Sequence, residues 1–305
     1  MDTSKLTLAF VLVAQAALAQ TPDGVANTPM GGLIQPAQFN WCGPTSNTFD
    51  RCTPVKFQGN CGSCWAFATT AVVENLIYLD DPSSVPDLSE QYLISCNPQI
   101  INVITGGCTG GSASFNMFVD GYRSPPENAA GAVYETDFPN QFQDATCGSK
   151  SHSKHEKLQG WVDLPDGSDV RTIKEHIAAY GPIYVDLCTD DKLQDYKVGE
   201  IYRDNGGPCV MANHAVVLVG WNDNSGDGYW IMRNSWGKRW GDQGYAKIAY
   251  GANGVANHAV AAVYKPRYPL PPTFGCSSTS DVDVGFYVVL GLIIAYVMFS
   301  SSKRR

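Results

Sequence analysis

The run Gln58-Gly59-Asn60-Cys61-Gly62-Ser63-Cys64-Trp65 constrains this chain more than any other stretch, because it sets a thiol at the head of an apolar segment. The helical spacing of apolar residues from Trp65 to Leu76, with no glycine or proline, predicts a helix that begins beside Cys64. A helix N-terminus favours thiolate over thiol, which is the form that attacks a carbonyl. Six residues upstream, Gln58 supplies a side-chain amide that can donate to a developing oxyanion. His214 follows Cys64 by 150 residues and opens the strand-like run Ala215 to Trp221, and Asn234 follows by 170 within Arg233-Asn234-Ser235-Trp236-Gly237. Taken singly, each has an ordinary explanation: half of a disulfide, a strand histidine, a turn asparagine. As an ordered set they read as a nucleophile, its base and the residue that orients the base.

Two other patterns compete for these cysteines. Cys61 and Cys64 have the C-x-x-C spacing of a redox site or of half a zinc site, but no βαβ context and no second pair stand nearby. Trp41-Cys42-Gly43-Pro44 imitates a redox string, yet Thr45 stands where its second cysteine belongs. No metal and no cofactor are expected. His152 and His155 sit in a Ser/Lys-rich stretch and read as solvated, and His258, near a strand end, reads as structural.

The ordered set of Gln58, Cys64-Trp65, His214 and Asn234-Ser235-Trp236-Gly237 resembles the papain-like (cathepsin-type, family C1) cysteine proteases, over about Pro36 to Tyr264. The resemblance implies an α+β, two-domain papain-like fold: a mainly helical half over 35–160, a β-rich half over 161–264, and a cleft between them. It implies a Cys-His-Asn triad of Cys64, His214 and Asn234, with Gln58 and the Cys64 backbone N–H facing the oxyanion and Trp236 shielding the His–Asn bond. Peptide hydrolysis would run through a thioester acyl-enzyme. Gly110-Gly111 would let substrate backbone pair closely. Ser112, Ala113, Asp186, Ala212, Asn213, Trp236 and Ala261 would line the substrate site, and an inward-pointing Asp186 would let Arg two residues before the scissile bond serve at least as well as Leu. The paired histidines of carboxydipeptidase relatives have no counterpart, so endopeptidase action is implied. For the ten cysteines, the resemblance pairs Cys61 with Cys108 and Cys96 with Cys147. Cys42 and Cys52 would close an insertion, Cys188 and Cys209 remain for each other, and Cys276 is left over.

Local patterns outside that span suggest a sorting history. Lys5 before the apolar Leu6 to Val13, then Ala17-Leu18-Ala19, has the form of a signal peptide over 1–19. Residues 20–34 would be a very short pro-region, too short for the helical inhibitor of relatives. Pro266, Pro269, Pro271 and Pro272 mark a stalk over 265–283. Val284 to Phe299 carries no charge or proline, predicting a single-span transmembrane helix over 284–302 with Lys303-Arg304-Arg305 as a cytosolic tail. A glycolipid anchor attached near Ser277 to Ser280 is the rival.

Strand-like runs dominate the second half, at Ile183 to Leu187, Ala215 to Trp221, Tyr229 to Met232 and Tyr245 to Ala249, after a helix over Asp169 to Tyr180. At 44% hydrophobic and 11% aromatic the chain can bury a sizeable core, and a net charge of −8 argues against nucleic acid as a partner. Expected partners are polypeptide substrates and protein inhibitors of cysteine proteases, met by a monomer in the secretory pathway, in a lysosome-like compartment or at the cell surface. Two alternatives stand beside this reading: a silent peptide-binding homologue, and a thiol–disulfide exchanger using Cys61 and Cys64.

Overall fold

Apolar residues occupy every side of the stretch after Cys64, and a helix apolar all round belongs inside a protein. Helix α1 (Cys64–Asp80) accordingly buries every residue from Trp65 to Ile77, and Leu79. In this computed structural model the described residues are 35–42, 51–97, 106–121, 129–148, 151–204 and 209–265. The expected signal peptide, pro-region, transmembrane helix and tail, with all of the stalk except Lys265, lie outside them. Among the described residues no helix is long and apolar enough to cross a membrane.

The buried polar side chains on α1 each meet a partner, as a dry interior requires, though Asn75 Nδ2 has no hydrogen-bond partner among the described residues. Thr69 donates to the Trp65 carbonyl at 2.7 Å and Thr70 to Glu90 Oε1 at 2.5 Å. Asn75 Oδ1 accepts from the Thr53 N–H and from Arg233 Nη1, both at 3.0 Å. Glu74 Oε1 accepts from the Leu88 N–H at 2.8 Å and lies 2.7 Å from Lys56 Nζ. Lys56 also meets Asp87 at 2.7 Å and Glu90 at 3.0 Å. One cation thus ties the segment before α1 to α1 itself and to α2 (Glu90–Cys96), whose start is capped by Ser89 accepting the Tyr92 N–H. Burial still pushes the Glu90 carboxyl up to about 7, with Lys56 opposing it.

The remaining helices are α3 (Asn116–Val119), α4 (Val170–Tyr180) and α5 (Asp191–Gln194). Asp169 caps α4 by accepting the Thr172 N–H at 2.7 Å, and Gly181 at φ +115° ends it. The strands are β1 (Gln38–Asn40), β2 (Gly160–Asp163), β3 (Ile183–Leu187), β4 (Ile201–Tyr202), β5 (His214–Asn222), β6 (Tyr229–Arg233), β7 (Tyr245–Ala249) and β8 (Ala259–Val263). They form one sheet in the order β2-β8-β3-β5-β6-β7-β4, with β1 added on β5. Pairings are antiparallel except β4 with β7.

Strand β1 lies in the expected helical half of the sequence yet joins the sheet of the β-rich half, through Asn40 opposite Gly220 and Phe39 opposite Trp221. A side chain at Gly220 would run into the Phe39 carbonyl, so this close crossing requires glycine there. Trp41 then donates to the Ile177 carbonyl at 2.8 Å and Trp221 to the Pro36 carbonyl at 2.9 Å, which latches the start of the described chain across the sheet. Strand β5 is buried from His214 to Trp221, with α1 packed against it and against β3.

Candidate active site

Cys64 is the first residue of α1 and His214 the first of β5, so the packing of helix on strand brings the two chain positions together. The Cys64 thiol faces the backbone N–H groups of Ala215, Trp65 and Cys64 itself, which draw its pKa down, while burial, the largest influence, pushes it up. His214 is 5% exposed, and burial lowers its imidazole to about 4. The thiolate expected from the helix terminus alone is therefore not favoured by this environment. Burial opposes the charged form of each group taken separately.

The His214 ring is held from two sides. Its Nε2–H donates to Asn234 Oδ1 at 2.9 Å, and Trp236 stacks on it with centroids 4.7 Å apart and planes at 28°. The same Asn234 oxygen accepts the Ser235 N–H at 2.8 Å. Among the described residues Asn234 Nδ2 has no hydrogen-bond partner; Asn234, Lys56 and Arg233 line a small cavity. Gln58 is fixed at both ends of its amide: Nε2 donates to the Cys61 carbonyl at 2.9 Å and Oε1 accepts from Ser235 Oγ at 2.6 Å. Backbone bonds from Gln58 N–H to Ser235 O (2.9 Å) and from Gly237 N–H to Lys56 O (3.0 Å) zip the Gln58 segment to the Asn234 segment.

A scan against family models matches residues 35–265 to the papain family of cysteine proteases. The chain belongs to that family. Cysteine proteinase 3 of Entamoeba histolytica is 37% identical over 238 residues, covering 77% of this chain and 70% of that protein. Procathepsin L of Rattus norvegicus is 34% identical over 217 residues, covering 70% of this chain but 61% of its own length. Among solved structures, procathepsin L2 from the larval midgut of Tenebrio molitor superposes with a TM-score of 0.65 at 30% identity, covering 75% of this chain and 69% of that one. The fold is papain-like, an α+β arrangement of few helices and a large sheet.

Disulfides in this papain-family chain join Cys42 to Cys52, Cys61 to Cys108, Cys96 to Cys147 and Cys188 to Cys209. Among the described residues Cys64 is the free cysteine. With Cys61 bonded to Cys108, the exchanger reading loses its second thiol. Four disulfides suit the oxidising secretory pathway.

The residues carried over for substrate binding divide in two. Gly111, Ser112 and Ala212 are exposed, and Gly110 has φ +118°. A Cβ at Gly111 would sit 2.6 Å from the indole of buried Trp65, so the backbone packs this closely on the ring only because the residue is glycine. Ala113 is half-buried, and exposed Asn213 accepts the Thr189 N–H at 2.7 Å. Ala261, in contrast, is fully buried inside the sheet, opposite Val162 on β2, and presents no open surface.

Asp186 lies opposite Ala215, one residue from His214, but its carboxylate is already met. Oδ1 accepts from Tyr184 Oη at 2.9 Å and Oδ2 lies 2.6 Å from His258 Nδ1. Burial and then the Asp186 charge push the Tyr184 hydroxyl well above the ordinary tyrosine range, so it stays a donor. The bond to Asp186 raises His258 above its ordinary value against partial burial. His258 is thus the partner of an acid that sequence reasoning offered to substrate. His152 and His155 are not simply solvated either: they stack on Phe138 and Tyr134, at centroid distances of 4.4 Å and 4.1 Å.

Sequence reasoning gave no role to Ser235 or Tyr184. Ser235 stood inside the Asn234 string, and Tyr184 precedes Asp186 by the two-residue period that puts both on one strand face. For His258 no local signal existed.

Proposed function

We propose that the chain is a cysteine endopeptidase of the cathepsin L type, acting on polypeptides through Cys64, His214, Asn234 and Gln58. The observation that carries this reading is the 2.9 Å bond from His214 Nε2 to Asn234 Oδ1 beneath the Trp236 ring. It commits one ring nitrogen to the asparagine and leaves Nδ1 to take the Cys64 proton.

As Sγ attacks the scissile carbonyl, the thiol proton passes to His214 and the carbonyl oxygen becomes an oxyanion. The second N–H of Gln58 Nε2 and the Cys64 backbone N–H donate to it, from an amide that Ser235 and Cys61 hold in place. His214 returns the proton to the leaving amine as the C–N bond breaks, and a thioester remains on Cys64. Water, deprotonated by His214, then attacks the thioester and frees the acid and the thiol. Gly110 and Gly111 take the substrate backbone as in β-pairing, between walls formed by Ser112, Ala113, Ala212 and Asn213. Protein inhibitors of cysteine proteases would occupy the same cleft.

The proposed organisation around this domain is a signal peptide at 1–19, a short pro-region at 20–34, a stalk to 283 and a membrane anchor at 284–302, supported by the charge and hydropathy pattern. The enzyme should hydrolyse unfolded protein at internal bonds, as peptide mapping by mass spectrometry would show, and Cys64→Ala should leave the substrate whole. Trimming from the termini alone would contradict endopeptidase action.

A further inference from the structure

We infer that the Cys188–Cys209 disulfide braces the substrate wall at Ala212 and Asn213, and that a dithiol reductant, by opening it, weakens peptide binding without disturbing the chemistry at Cys64. This deepens the reading of the site as a peptidase and rests on it.

Cys188 is the fixed end of the bridge. It follows β3 directly, its N–H donates to the Asn253 carbonyl at 2.9 Å, and its own carbonyl accepts from Asn253 Nδ2 at 2.7 Å. Asn253 is buried, and the same Nδ2 donates to Tyr202 Oη at 2.7 Å. Cys209 is held by little else. The backbone groups of Cys209, Val210 and Ala212 make no hydrogen bond to another described residue. Val210 and Met211 are 88% and 83% exposed, and Ala212 and Asn213 stand in water as well.

Two ties therefore define this wall. At one end the Asn213 N–H donates to the Leu187 carbonyl at 3.1 Å and its Oδ1 accepts the Thr189 N–H at 2.7 Å. At the other end there is the disulfide. With the bridge open, Ala212 hangs from Asn213 alone, and a substrate must order the segment as it binds, which costs affinity. His214 keeps its place, because it pairs with Leu187 in the sheet and its ring is held by Asn234 and Trp236.

Reduction begins when a thiolate attacks one sulfur and the other leaves as a thiolate. Each of the other bridges has one deeply buried member, Cys42, Cys61 or Cys96, at 0%, 4% and 2% exposed. That sulfur is either out of the reductant's reach or must leave as a desolvated thiolate, which burial disfavours. Cys188 and Cys209 are both partly exposed. A dithiol attacks one of them, the S–S bond breaks as a mixed disulfide forms, and the second thiolate of the reductant then displaces the attacked sulfur. The reductant departs as its own disulfide, having given up two electrons, and both cysteines take up a proton as thiols.

The test compares wild type kept active by a monothiol, the same protein exposed to rising dithiothreitol, and the double variant Cys188→Ser with Cys209→Ser. KM and kcat are measured on an internally quenched peptide, while parallel samples are alkylated with iodoacetamide and mapped by mass spectrometry. Cys188 and Cys209 should be labelled before the cysteines of the other bridges. KM should rise roughly tenfold, the scale of ordering a short loose segment, while kcat and the rate of Cys64 alkylation stay as they were. Reoxidation should restore KM. The reduced wild type starts from folded protein, so a poorly folding double variant does not remove the test. An unchanged KM once Cys188 and Cys209 are labelled, earlier reduction of another bridge, or a joint fall in kcat and Cys64 alkylation would overturn the brace and leave the peptidase reading standing. No cleavage by wild type would overturn both.

Discussion

His214 and Asn234 lie at the start of one strand and just past the end of its neighbour, and their side chains meet at 2.9 Å within a buried site. Burial holds the imidazole near 4, and the Asn234 bond raises it against that trend. Below that value both members of the Cys64–His214 pair keep their protons, and no base remains to receive the thiol proton. The acid limb of kcat/KM should therefore have its midpoint near pH 4. Asn234→Ala removes the influence that raises the imidazole, so the midpoint should move to lower pH while the rate falls. A midpoint that moved upward would contradict this account of the pair.

Gln58 is locked by Ser235 and Cys61, so its role can be separated from that of the thiol. Gln58→Ala should lower kcat on the order of 100-fold, the loss typical of one oxyanion donor, while Cys64 still reacts with iodoacetamide. Ser235→Ala, which frees one end of the amide, should give a smaller loss in the same direction. Full turnover in Gln58→Ala would remove it from the site.

The pairing of Asp186 with His258 changes the specificity expected from sequence. An acid already engaged by the Tyr184 hydroxyl and the His258 imidazole offers a substrate arginine little, so wild type should show no marked preference for Arg over Leu two residues before the scissile bond. His258→Ala should raise the Arg-to-Leu ratio of kcat/KM by roughly tenfold, the scale of one charge-assisted hydrogen bond. Because Asp186 raises the His258 pKa, the wild-type ratio should itself climb only as pH passes above the ordinary histidine range. A ratio indifferent to both pH and His258→Ala would show that Asp186 does not face substrate.

What the sequence made legible follows the range of the signal. Helix α1 and strands β3, β5, β6 and β7 were readable because their apolar runs are long and bounded by glycine and aspartate clusters. Strand β1 was not: it spans three residues and exists only through β5, some 180 residues away. Strand β8, Ala259-Val260-Ala261-Ala262-Val263, is alanine-rich and carries little intrinsic strand preference, so its neighbours β2 and β3 decide it. Cys64, His214 and Asn234 were visible as an ordered string, whereas the Asp186–His258 pair arises only when β3 meets the chain entering β8.

Glu90 gives the fold its own pH dependence. Its carboxyl rises from 4.5 unfolded to about 7 folded, so the folded state binds the extra proton between those values. The associated stability is fully present below pH 4.5 and is lost as pH rises through 7. Thermal midpoints should fall between pH 5 and pH 8, and the fall should be smaller in Glu90→Gln. An equal fall in the variant would assign the effect to other groups.

The central claim is that Cys64 is the nucleophile of a peptidase. Treatment with a thiol-directed peptidyl epoxide, followed by mass spectrometry of the intact protein and its peptides, tests it most directly. The account predicts one covalent addition per chain, on the peptide containing Cys64, with hydrolysis lost in proportion to labelling and no addition to Cys64→Ala. Hydrolysis that persists in the fully labelled protein, or a label carried on any other residue, would contradict it.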